Sequence, residues 1–183
     1  MDLTQLPRFG LKGTDIDPYL AGWGIRAGDE CNRVYLQEDG RIVNRLAPNE
    51  LLVLAAPDLV ISDKAEHPVE DSHYCYRVPR FDTHYCFAVI GDDAPAMLAK
   101  LCGVDFDCSE FENGQVAQTR LARTSCVVLR HDLKKSPRFL LLGDRSISAF
   151  LWCCLLDSAQ EFEYQVISYP PTIERSATSQ IVL

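Results

Sequence analysis

A chain of 183 residues, 47% hydrophobic and 24% charged, is long and apolar enough to bury a core without metal or disulfide staples. Its formal net charge of −8 argues against nucleic acid or an anionic membrane as the main partner, because either would repel an acidic surface. The longest strongly apolar run, Phe150 to Leu156, is too short to span a bilayer, and no signal-like segment opens the chain, so a cytoplasmic protein is expected.

The predicted elements begin with a short helix from Asp15 to Gly22, with Pro18 tolerated in its first turn and Gly22 and Gly24 closing it. A meander follows. Val34 to Leu36 runs into Glu38-Asp39-Gly40-Arg41, whose Asp-Gly pair signals a hairpin, Ile42 to Leu46 returns, and Pro48-Asn49-Glu50 turns into Leu51 to Ala55. Pro57 to Pro79 shows no sustained period and reads as a connector with room for a short helix or an edge strand. Phe81 to Ile90 is the next strand and Asp93 to Leu101 the second helix, with Pro95 near its start and Gly103 as a candidate stop. An acidic loop, Asp105 to Glu112, precedes strands at Gln115 to Leu121, Ser125 to His131 and Phe139 to Leu142, with a turn at Lys134 to Pro137.

The two helix starts are copies. Gly13-Thr14-Asp15-Ile16 with Leu20-Ala21 recurs as Gly91-Asp92-Asp93-Ala94 with Leu98-Ala99, 78 positions later. In each copy a Gly closes an extended segment and an Asp two residues on can cap a helix. The repeat predicts one pseudo-symmetric domain over residues 1–183, with halves near 1–80 and 81–169 and a polar tail at 170–183 that frays.

The last helix, Ser146 to Ala159, carries Ile147, Phe150, Leu151, Cys154 and Leu155 on one apolar stripe expected to face the core. Ala149, Trp152, Cys153 and Leu156 form a second apolar stripe, a candidate partner interface. A final strand is expected at Phe162 to Ile167.

Eight cysteines without a secretory signal read as reduced thiols, with Cys86, Cys126, Cys153 and Cys154 among apolar neighbours. His73-Tyr74-Cys75 and His84-Tyr85-Cys86 repeat a His-x-Cys pattern, and on paired strands these four side chains would make a tetrahedral zinc site possible, hence a zinc-binding adaptor as one alternative. The competing reading packs Cys86 in the core. Asp105, Asp107, Glu110 and Glu112 match no calcium loop, and the basic stretch Arg120, Arg123, Arg130, Lys134, Lys135 and Arg138 reads as solvated strand ends and a turn. Dinucleotide, Walker, nucleophile-elbow and zincin motifs are all missing from the sequence, so no catalytic residue is proposed.

Arg41-Ile42-Val43, the run Arg45-Leu46-Ala47-Pro48-Asn49-Glu50-Leu51-Leu52-Val53-Leu54, and Gly114-Gln115-Val116-Ala117-Gln118-Thr119-Arg120-Leu121-Ala122-Arg123 resemble the gamma subunit of heterotetrameric sarcosine oxidase. Arg145-Ser146, Leu151-Trp152 and Leu155-Leu156 extend the likeness. The resemblance implies an α+β fold of two similar ferredoxin-like halves with antiparallel strands, like that of the glycine-cleavage T-protein (aminomethyltransferase) and its folate-binding superfamily. It also implies a noncatalytic subunit of a hetero-oligomer that demethylates sarcosine oxidatively, with FAD, FMN, NAD and tetrahydrofolate on large partner subunits and none on this chain. A stand-alone folate-binding or one-carbon transferase protein is the other alternative. Against it, Gly114-Gln115 follows Glu112-Asn113, so the Lys-Gly-Cys motif of free-standing folate-binding relatives is absent.

Overall fold

The computed structural model describes residues 1–14, 16–22, 24–55, 74–167 and 181–182. Two compact units divide the chain, Leu6–Asp82 and a second made of Met1–Gln5 with Thr83–Leu183.

In the first unit, β1 (Arg8–Gly13) leads through α1 (Ile16–Ala21) to the meander β2 (Arg33–Leu36), β3 (Ile42–Ala47) and β4 (Glu50–Leu54), and β5 (Cys75–Pro79) comes last. The sheet order is β2-β3-β4-β1-β5, every pair antiparallel. The connector thus does end in an edge strand, β5, while residues 56–73 lie outside the described ones. Gly13, at φ +150, ends β1 where an added Cβ would collide with the Tyr74 carbonyl, so only glycine fits the turn towards α1. The end of α1 follows from sequence as well. Ile25 N–H donates to Leu20 C=O and Gly24 N–H to Ala21 C=O, the paired bonds of a Schellman closure, and Leu20 and Ile25 bury together beside it. Phe9, Leu11, Ile16, Val43, Leu51, Val53 and Cys75 complete that core. Arg45, nearly fully buried, is tolerated because its guanidinium pairs with Asp17 and donates to the Gly28 and Pro48 carbonyls.

The second unit repeats the plan. β6 (His84–Ile90), α2 (Ala94–Ala99), β7 (Val116–Leu121), β8 (Thr124–Arg130) and β9 (Arg138–Asp144) are followed by a 3₁₀ turn (Arg145–Ile147), α3 (Ser148–Ala159), β10 (Tyr164–Gln165) and β11 (Ile181–Val182). Its sheet order, read from the other edge, is β7-β8-β9-β6-β11-β10. β7, β8, β9, β6 and β11 therefore stand where β2, β3, β4, β1 and β5 stand in the first unit, and α1 and α2 occupy the same positions of the repeat. β10 and β11 are parallel, and the remaining pairs antiparallel.

The tail was expected to fray, yet Ile181–Val182 is β11, pairing with β6 and β10. Two β-branched residues suit a strand, and an open flank of β6 offers them a ladder. The segment Met1–Leu3 also bonds to β6: Leu3 N–H donates to the Cys86 carbonyl and Ala88 N–H to the Met1 carbonyl, both at 2.8 Å.

The core of this unit is aromatic. Tyr85 stacks on Phe87 at 4.8 Å, and Phe106, Phe111 and Phe139 cluster with centroids 5.1 to 6.4 Å apart. The acidic loop owes its place to the first two rings of that cluster, which plug it into the core while its carboxylates face water.

Candidate interaction face

Asp144 begins the segment that presents α3. Its carboxylate accepts the Ser146 hydroxyl at 2.7 Å and the Ser146 N–H at 2.8 Å, and these bonds hold its pKa below the ordinary aspartate value. Arg145 N–H then donates to the Thr83 carbonyl at 2.9 Å, fixing the 3₁₀ turn to the start of β6.

α3 seats Leu151, Leu155, Ser158 and Ala159 in the core. The Ser158 hydroxyl donates to the Met97 carbonyl at 2.9 Å, and Lys100 of the α2 end donates to the Ser158 carbonyl at 3.1 Å while pairing with Glu161. These contacts tie α3 to α2 and set its rotation. Trp152 meets Phe87 edge-on at 5.0 Å.

The predicted interface stripe is divided by this rotation. Ala149 and Cys153 are exposed, whereas Trp152 and Leu156 are half-buried and lean on the core. Phe150, expected inside, is 53% exposed. At 100° per residue the buried direction lies roughly 60° from the one the apolar stripe predicted. The cause is the close approach of two small residues at the helix end, Ser158 and Ala159. The face that α3 offers is therefore Ala149, Phe150 and Cys153, flanked by Trp152 and Leu156. Cys153 is not one of the buried thiols; Cys86 and Cys126 are.

Beside the first turn of α3 lies a groove of about 340 Å³ lined by Asp2, Thr4, Gln5, Phe87, Arg145, Ser148, Ala149 and Trp152. A wider concavity of about 1010 Å³ opens where the β8–β9 ladder stops at Val127–Leu142. Across it His84, Asp144, Ser125 and Arg120 form a polar row, all exposed or half-buried. In the first unit, a concavity of about 880 Å³ lies against the β2 edge, where Gln37 pins the preceding loop by bonding both the N–H and the C=O of Arg26.

The zinc geometry does not assemble on paired strands. Cys75 lies on β5, which pairs with β1, while His84 and Cys86 lie on β6, which pairs with β9 and β11. His73 lies outside the described residues. Among the described residues no group of three or more His, Cys, Asp or Glu converges as a metal site.

The other charged candidates are wired into their own loops. Asp107 accepts the Ser109 N–H and hydroxyl, and these bonds, the backbone one first, hold its carboxyl below the usual range. Arg130 is buried, forking onto Asp132 and donating to the Phe111 carbonyl at 2.6 Å, and Arg138 is buried with a bond to the His131 carbonyl. The basic stretch is thus no single patch. Tyr85 and Cys126 face one another in the core, where burial pushes the tyrosine pKa far up and the Cys126 thiol to about 12. Both stay neutral at physiological pH, which suits a packing role.

No family model matches the chain, and no curated protein matches it in sequence. Solved structures do. A chain of the heterotetrameric sarcosine oxidase from Corynebacterium sp. U-96, in complex with pyrrole 2-carboxylate, superposes with a TM-score of 0.71 at 18% identity, covering 87% of this chain and 82% of that one. The glycine cleavage system aminomethyltransferase T from Bartonella henselae superposes with a TM-score of 0.57 at 17% identity, covering 85% of this chain. The match spans only 44% of that aminomethyltransferase. The fold is α+β and T-protein-like, as the family resemblance implies. Among the described residues no helix is long and apolar enough to cross a membrane.

Proposed function

We propose that this chain is a noncatalytic, gamma-type subunit of a sarcosine oxidase-like flavoenzyme complex. The observation that carries the reading is mutual coverage: 87% of this chain aligns with 82% of one chain of an oxidase heterotetramer, so the two are close in length. A large flavin-bearing subunit would leave most of itself unmatched, as the aminomethyltransferase does. The apolar face of α3, with Phe150 turned outward, supports a role in assembly.

On this reading the chemistry belongs to partner subunits. They bind FAD, FMN, NAD and tetrahydrofolate, oxidise the N-methyl group of sarcosine, and pass the one-carbon unit to tetrahydrofolate. This chain supplies contact surface in the cytoplasm and engages neither nucleic acid nor membrane. Its wired carboxylates and neutral buried Tyr85 and Cys126 suit that division of labour.

The test is titration of the chain expressed alone with flavins and with tetrahydrofolate. The reading expects a colourless protein and no saturable heat with either. Saturable tetrahydrofolate binding by the isolated chain favours the stand-alone folate-binding alternative instead.

A further inference from the structure

The groove beside α3 has a composition that narrows what can fill it. Its floor is aromatic, Trp152 edge-on to Phe87 at 5.0 Å. Around that floor the Arg145 guanidinium, the Trp152 indole N–H and the Ser148 hydroxyl have no hydrogen-bond partner among the described residues, whereas the Asp2 carboxylate already accepts the Thr4 N–H at 2.8 Å. The exposed Gln5 carboxamide is open as well, and of these four groups two can only donate while none can only accept. An arginine with no ion pair among the described residues, beside two aromatic rings, suits an occupant that brings a carboxylate next to an apolar side chain.

The groove continues into the exposed Ala149, Phe150 and Cys153, a surface that a small carboxylate held in about 340 Å³ would leave bare. A polypeptide covers both. We infer that the groove between Asp2–Gln5 and the start of α3 seats a segment of the large flavin-bearing partner chain, its apolar side chain on Trp152 and Phe87 and a neighbouring Asp or Glu on Arg145. This rests on the subunit reading and names the anchor point of that assembly. Arg145 positions the partner, and no chemistry is assigned to it.

The experiment uses the full tagged chain recovered from its native cells, as wild type, Arg145→Glu and Ala149→Glu, with visible flavin absorbance and mass spectrometry as readouts. Both positions are exposed and acidic residues suit a helix start, so the variants are expected to fold, which circular dichroism checks. Each substitution should lower recovery of the flavin-bearing chain by about tenfold or more. In the wild-type complex Cys153 should resist maleimide labelling while Cys108 on the acidic loop labels as in the isolated chain. Undiminished recovery with both variants, or a Cys153 that labels equally fast in the complex, overturns the groove as anchor and leaves the subunit reading standing. A wild-type chain that recovers no flavin-bearing partner overturns the subunit reading itself.

Discussion

Between β2 and β3 the chain turns at Asp39 and Gly40, with Gly40 at φ +82; at the equivalent hairpin between β7 and β8 it turns at Ala122 and Arg123, at φ +47 and +65. The first hairpin uses the residue for which a left-handed conformation costs least, and the second forces two side-chain-bearing residues into it, at about 1–2 kcal/mol each. Both units nevertheless have the same strand order. Strand pairing is therefore governed by which faces are apolar, and turn chemistry adjusts to it. The second unit compensates from outside the hairpin: Ala122 N–H donates to the Leu101 carbonyl at 2.9 Å, and Leu121 lies fully buried in the aromatic core.

Four substitutions probe this contrast. The largest effect is expected from Gly13→Val at the end of β1, where a side chain meets the Tyr74 backbone and the φ is unfavourable, destabilising by about 3 kcal/mol or more in urea unfolding. Next comes Gly143→Ala in the second unit. Its methyl group would enter the space of the Tyr85 ring and hydroxyl, so a loss of about 2 kcal/mol and altered near-ultraviolet circular dichroism from the displaced Tyr85–Phe87 stack are expected. Arg123→Gly should do the opposite, raising stability by about 1 kcal/mol by relieving the left-handed strain; an unchanged or lower urea midpoint contradicts the strain account.

The smallest effect concerns pH. The Asp144 and Asp107 carboxyls lie below their ordinary values through bonds from Ser146 and Ser109, so each contributes stability that is present above the unfolded aspartate pKa. That contribution disappears as pH falls through the lowered folded value. Asp144→Asn should accordingly flatten the acid limb of the stability curve without moving the plateau's shape above it; an acid limb as steep as in the wild type speaks against the Ser146 bonds as the cause.

Most of the strand positions were legible because their signals are local. Asp39-Gly40 marks one hairpin, Gly13 and Gly91 close equivalent strands, and the two short helices sit at matching positions of the repeat. The Ala122–Arg123 turn carries no turn residues, and only the lengths of the flanking strands placed it. α3 was located correctly but rotated, because Ser158 and Ala159 pack through smallness and one hydroxyl bond, which a hydrophobic pattern does not register. Arg145, Phe87 and the Met1–Leu3 segment meet through long-range pairing at the edge of β6, and nothing in their local sequence announces it. The His-x-Cys repeat is silent on pairing for the same reason: adjacency in sequence says little about which sheet each strand joins.

A chain that works as one part of a flavoenzyme assembly should co-purify with its partners, so the decisive measurement is tagged purification from the native cell, with mass spectrometry of the co-eluting chains and an absorbance scan of the same fraction. A subunit role predicts stoichiometric recovery with large chains and a flavin spectrum that disappears when those chains are stripped away. A lone, colourless protein from cells that contain the partner chains would contradict it.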